Sequence, residues 1–93
     1  MKVRFNRGAF ADIAEILDYL AERHSRAAAG LSREFEAAGR LIGEMTDIGA
    51  LTSRRDFRRL VCGNYLVVYE IKLDEAIIHY VRHGARERPW EGE

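Results

Sequence analysis

The chain holds a single cysteine, a single proline and no net charge, its 15 lysines and arginines being matched by 15 aspartates and glutamates. Each scarcity removes a class of protein. Cys62 alone cannot close an internal disulfide, so this is not a disulfide-stapled secreted scaffold. Nor does it make a zinc site with His24, His79 and His83, which lack the close paired spacing of structural zinc ligands; no metal or cofactor is expected. A lone cysteine in an apolar run reads as a small buried hydrophobe rather than a nucleophile. No glycine-rich phosphate cradle and no nucleophile elbow are present. Apolar runs stay far below the ~18 to 20 residues of a membrane span. Met1 to Phe5 offer neither a signal core nor a lipidation motif, so a cytoplasmic protein without a membrane partner is the expectation. Zero net charge argues against strong direct binding to nucleic acid through bulk counterion release.

What is there is an ordinary globular composition, 47% hydrophobic and 32% charged over 93 residues, which points to one domain over 1–93. A chain this short buries only about 60 to 65% of its unfolded surface, so its stability is marginal and a partner is expected. Val3 and Phe5 alternate with Lys2 and Arg4 as in a short strand, and Asn6 follows as a helix cap. Phe10, Ile13, Leu17, Leu20 and His24 recur at spacings of three and four, with Ile16 widening the stripe, which predicts an amphipathic helix. After Ser25, a second cap candidate, Ala28, Leu31, Phe35, Ala38, Ile42 and Met45 repeat the pattern. The two helices should form a tight antiparallel hairpin. Gly30, Gly39 and Gly43 each cost the second helix about 1 kcal/mol against alanine, and close approach to another element is the reason expected.

Thr46 to Asp56 has no clear period and reads as one long loop. From Phe57 the period changes to that of strands: Phe57 to Cys62, Tyr65 to Ile71 and Ala76 to Arg82 are β-branched or aromatic runs separated by Gly63-Asn64 and by Lys72 to Glu75. The middle run is apolar on both alternating faces except at Glu70, so it should be central and covered twice. The fold class is therefore α+β: a short strand, a helix hairpin packed on one face, and a mainly antiparallel sheet, in the order β-α-α-β-β-β. Residues 87–93, with Pro89 and Trp90, read as a C-terminal extension.

Charge is unevenly placed. Arg54-Arg55-Asp56-Phe57-Arg58-Arg59 nets +3 and Arg82 to Arg88 nets +2, so 13 residues hold seven of the basic groups and two of the acidic ones. Either these are two solvated charge runs, or the loop and the tail bring them together into one basic surface.

The same order of elements, with Asp12-Ile13 and Ile16 to Tyr19 in the first helix, Gly63-Asn64-Tyr65-Leu66-Val67-Val68-Tyr69-Glu70-Ile71, and the ending Val81-Arg82-His83-Gly84-Ala85-Arg86, resembles the RelE/ParE toxin superfamily of bacterial toxin-antitoxin systems over essentially the whole chain. Arg86 matches the C-terminal phosphate-binding arginine of the ribosome-dependent ribonucleases of the RelE branch. Those enzymes also carry an arginine after the first tyrosine of the central strand, where this chain has Leu66. Their C-terminal catalytic tyrosine has no counterpart, since Trp90 is the one aromatic residue after Arg86. Losing both removes most of the catalytic means, each such group being worth roughly a hundredfold or more. The His-Gly-Ala-Arg ending is more similar to the ParE branch, whose known members poison DNA gyrase.

The resemblance therefore implies a non-enzymatic, ParE-like toxin with two partners: DNA gyrase as target, and a cognate antitoxin whose extended, acidic C-terminal arm adds a helix to a groove or a strand to a sheet edge. It places that groove opposite the helices, on the face of Leu66 and Val68; Arg54, Arg55, Arg58, Arg59, Arg82 and Arg86 are the candidate partners for the arm, and Trp90 is a further candidate partner-binding residue. Two other readings remain. One is a divergent mRNA interferase in which Arg86 holds phosphate and His83 or His79 supplies acid-base function. The other is an inactive homologue that only binds its antitoxin.

Overall fold

The computed structural model describes residues 1–84. Strand β1 (Lys2–Phe5) leads into helix α1 (Arg7–Ala21) and helix α2 (Ser25–Glu44). A 3-10 turn (Thr46–Ile48) and a two-residue strand β2 (Ala50–Leu51) precede the meander β3 (Phe57–Cys62), β4 (Tyr65–Ile71) and β5 (Glu75–His83). The sheet has five strands in the order β1-β5-β4-β3-β2, with β1 parallel to β5 and the other pairs antiparallel. This is the expected α+β architecture, with the meander strands within a residue of the expected bounds. The stretch expected to be one loop instead holds the 3-10 turn and β2. Two residues carry too little pattern to announce a strand. Among the described residues no helix is long and apolar enough to cross a membrane. The proposed extension at 87–93 lies outside the described residues, as do Arg86 and Trp90.

Asn6 starts α1 by accepting the Ala9 N–H on its Oδ1 at 2.9 Å, which satisfies one orphan donor of the first turn. Ala9 is fully buried, and Ile13, Ile16, Leu17 and Leu20 pack against the core. Phe10 departs from the expected inward stripe. The residue is 62% exposed and its ring leans on Phe5, the centroids 5.8 Å apart, while the small residues Gly8 and Ala9 take the position against the sheet. His24 also departs from it, lying exposed beyond the helix. Helix α2 begins at Ser25 with His24 in the cap position and no side-chain capping bond, so Ser25 is the first helical residue rather than the cap. Leu31, Phe35, Ala38 and Ile42 give α2 its buried face, while Met45 is exposed past its end.

The glycines of α2 divide into two kinds. A Cβ on Gly39 would meet the Phe5 ring at 3.2 Å, and one on Gly43 would meet Met1 O at 3.0 Å, so both permit β1 to lie close against the helix. Gly30 is different. Its nearest neighbour would be the mobile end of Arg33 at 4.0 Å, and no close approach explains it.

Gly63 and Asn64 form the two-residue turn between β3 and β4, with Gly63 at φ +60 and Cys62 paired to Tyr65. Glycine at the first turn position suits a type II′ hairpin. The core lies between the helices and the inner face of the sheet, around Tyr69, Val67, Ile78 and Ile42. Tyr69 also ties down the segment after α2. Its hydroxyl accepts the Gly49 N–H at 3.0 Å and donates to Thr46 O at 2.6 Å.

Candidate functional site: a basic groove on the outer face

β4 and β5 pair regularly except between Val68 and Tyr69, where the register shifts: Val68 faces Tyr80 while Tyr69 faces Ile78. His79 is the extra residue, a β-bulge on β5. Before the bulge Ala76 and Ile78 point to the core. After it Val81 does, so Tyr80 and Arg82 point away from the helices. Unbroken alternation from Ile78 would have sent Tyr80 and Arg82 inward and Val81 out. One inserted residue therefore delivers Arg82 to the outer face.

On that face Leu66 and Val68 form the floor of a groove of about 270 Å³, walled by Arg54, Arg59, Tyr80 and Arg82. Its described lining contains three arginines and no carboxylate. The fourth side is the segment 52–56, which folds across the sheet. Thr52 Oγ1 accepts the Arg54 N–H at 3.1 Å and lies 3.0 Å from the carbonyls of Arg54 and Phe57. Asp56 takes φ 68, and its carbonyl accepts the Ile71 N–H at 2.8 Å. Arg54 is thereby laid over the Phe57 ring, 4.1 Å from its centroid. Arg82 stacks similarly on Tyr80 at 4.4 Å. Both cations are held by π faces, which fixes their direction.

The structure thus brings Arg54, Arg59, Leu66, Val68 and Arg82 together. Although the start of β3 and the end of β5 lie at opposite ends of the sheet, the folded-back loop closes the distance. Arg55 sits exposed on the loop, outside the groove lining. Arg58 is on the other face, donating to Gly49 O at 2.8 Å and lying 3.8 Å from an Asp47 carboxylate oxygen. Phe57, Thr52 and Tyr80 belong to the groove and were not among the residues expected there. Alternation from Arg59 would have found Phe57, but Thr52 and Tyr80 depend on the loop and the bulge.

The histidines have their own partners. Asn6 must present its Nδ2 to His79, because its Oδ1 is committed to Ala9. It donates to His79 Nδ1 at 3.1 Å, leaving His79 Nε2–H to donate to Glu70 Oε1 at 2.9 Å. Both ring nitrogens are occupied, and the ring lies 5.0 Å from Phe57. His83 follows Arg82 and so turns to the helix side, edge-on to Tyr65 at 5.1 Å. Cys62 is buried, and burial, with Glu34 adding to it, pushes its thiol above the usual 9.0. A thiol raised in this way is a poor nucleophile. Among the described residues no three His, Cys, Asp or Glu side chains converge on a point fit for a metal.

The family model described as "ParE toxin of type II toxin-antitoxin system, parDE" matches residues 3–88. The chain belongs to the ParE toxin family. No curated protein matches this ParE family member in sequence. Among solved structures it is similar to one titled "Chromosomal ParDE TA system from P. aeruginosa", with a TM-score of 0.77 and 17% identity over 89% of this chain and 95% of the other. At that identity the likeness concerns the fold. It places the helix hairpin and the sheet of this ParE family member in a known arrangement.

Proposed function

We propose that this ParE family member acts by binding rather than by catalysis: it inhibits DNA gyrase in the cytoplasm and is neutralised by a cognate antitoxin whose acidic C-terminal arm enters the outer-face groove. The observation that carries the reading is the pairing of an apolar floor, Leu66 and Val68, with Arg54, Arg59 and Arg82 around it. An RNA backbone offers phosphates but nothing for the floor, whereas an amphipathic acidic arm satisfies both. Arg55, outside the lining, is a rim contact that steers the arm. Arg58 turns away and serves the fold. Arg86 and Trp90, outside the described residues, are proposed as further contacts of the arm.

The arginine cluster also keeps the ribonuclease reading open, since it could hold a phosphodiester. Against it, His79 has no ring nitrogen left for a substrate and His83 lies across the sheet from Arg82. Induced expression without antitoxin, followed by plasmid topology and mRNA integrity measured side by side, separates the readings. Loss of negative supercoiling with intact mRNA is expected. Ribosome-dependent mRNA cuts with normal supercoiling would overturn the proposal, and normal growth with folded protein would mark a homologue that only binds its antitoxin. For the groove itself, Arg82→Glu should weaken antitoxin binding about tenfold or more. Arg7→Glu, at the exposed start of α1, should leave it unchanged in calorimetry.

A further inference from the structure

β1 accompanies β5 only as far as Phe5, which pairs with Ile78, and the Asn6 N–H closes that ladder by donating to Ile78 O at 2.9 Å. The chain then turns into α1. From His79 to His83, β5 has β4 on one side and, among the described residues, no strand on the other. This stretch contains the bulge and carries Arg82. A strand end paired on one side frays unless something else takes its free donors and acceptors.

α1 supplies the substitute. Asp12, in the second turn of the helix, accepts the Val81 N–H on its Oδ2 at 2.9 Å. Val81 is buried, and a donor there needs a partner within the protein. The same helix also grips the bulged residue two positions earlier. Asn6, its cap, donates to His79 Nδ1 at 3.1 Å, and Gly8 lies so close that a Cβ on it would meet His79 O at 3.1 Å. Both ends of the segment 79–81 are thus tied to one helix. Tyr80, between the two anchors, carries the Arg82 guanidinium over its ring at 4.4 Å. A fixed Tyr80 is a fixed platform for that cation.

We propose that Asp12 is a positioning residue of the outer-face groove: by holding the Val81 N–H it keeps the end of β5 in the bulged register that sends Arg82 to the face opposite the helices. A carboxylate accepting a backbone donor makes a stronger bond than two neutral groups do. The helix that carries it is anchored on the core through Ile13, Ile16 and Leu17, so the hold is transmitted from a packed element. Charge separates this role from an electrostatic one. An aspartate anywhere on the protein repels an acidic arm, however weakly, so by Coulomb interaction alone a neutral residue at position 12 strengthens binding. Positioning gives the opposite sign for alanine. The consequence for binding rests on the groove receiving an acidic arm; the placement of Arg82 does not.

Three variants, Asp12→Ala, Asp12→Asn and Ile13→Val, are compared with the wild type. NMR reads the exchange of the Val81 amide and the shift of the Arg82 Nε–H, which the Tyr80 ring current displaces. Fluorescence anisotropy reads affinity for a synthetic amphipathic helix of glutamate and leucine. Asp12→Ala should speed Val81 exchange roughly tenfold or more. It should also move the Arg82 signal toward its random-coil position and weaken the peptide roughly two- to fivefold. Asparagine keeps an acceptor at that place, so Asp12→Asn should retain the Arg82 signal and bind the peptide at least as well as the wild type. Ile13→Val, which thins the core under the same helix, should lower the urea midpoint without moving the Arg82 signal or the affinity. Should Asp12→Ala not fold, Asp12→Glu, which keeps the charge but shifts the acceptor by one methylene, carries the same expectation in smaller degree. An unmoved Arg82 signal in the folded variant would overturn the proposal, as would an equal displacement in Ile13→Val or in Asp12→Asn. A displaced Arg82 signal with peptide affinity unchanged would uphold the role of Asp12 and remove the acidic-arm reading of the groove.

Discussion

Tyr69 joins the inner layer of the sheet to the segment that follows α2. It is fully buried, and its hydroxyl bridges Thr46 and Gly49, so one side chain both fills the core and anchors the turn leading to β2. Tyr69→Phe keeps the ring but orphans a buried donor and acceptor, which should cost about 1 to 3 kcal/mol in urea unfolding. Gly49 is committed to the same contact. A Cβ there would meet the Tyr69 hydroxyl at 2.8 Å and Arg59 O at 2.9 Å, so Gly49→Ala should destabilise by a comparable amount. Burial pushes the Tyr69 hydroxyl above its usual 10.0, outweighing the Gly49 N–H and the Arg58 charge that pull it down. Cys62 is raised above its usual 9.0 by burial and then by Glu34. In both cases the unfolded chain releases its proton at lower pH than the folded one. Their contribution is therefore whole below about pH 9 and is lost as pH climbs through the folded values. Urea midpoints should fall above that pH, and less steeply above about pH 10 in Tyr69→Phe than in the wild type.

At the scale of elements, α2 offers a contrast within one helix. Gly30 faces open space, so Gly30→Ala should add about 0.5 to 1 kcal/mol by improving helix propensity without a clash. Gly39→Ala gains the same propensity but drives a methyl against the Phe5 ring at 3.2 Å, so it should yield less or become destabilising. Thermal melts of the two variants in parallel check the difference. The periodicity of α2 makes its buried face legible, from Leu31 to Ile42. The partition of its glycines is not, because it depends on where β1 crosses. α1 is similar in kind. Asn6 is readable as its cap, yet the exposure of Phe10 is not, since Gly8 and Ala9 take the contact that a hydropathy pattern assigns to the larger ring.

Across the whole molecule, neutrality is an average. Residues 1–50 carry seven basic and eight acidic groups, while the outer face of the sheet concentrates Arg54, Arg59 and Arg82 over an apolar floor. A small core with such a face is suited to stabilisation by a bound partner. Saturating antitoxin at 100 times its dissociation constant should add about 2.7 kcal/mol to unfolding, read as a concentration-dependent rise in melting temperature. Added salt should weaken the complex, because part of its attraction is between charges at the solvent boundary.

The sequence by itself determined the α+β class, the helix hairpin, the three meander strands and the Gly63-Asn64 turn, because these follow from local periodicity and turn chemistry. It also marked Leu66 and Val68 as partners on one face of β4, since alternation within a single strand needs no knowledge of its neighbours. Tertiary structure alone decided which cations join them. The bulge at His79 reverses the facing of Tyr80, Arg82 and His83, and the arch of residues 52–56 lays Arg54 over Phe57. A bulge is fixed by cross-strand pairing and an arch by hydrogen bonds to distant backbone, and neither is written in a local pattern. Arg54 and Arg59 thus come to share one groove with Arg82, far away in the chain, through pairing that involves both ends of the sheet.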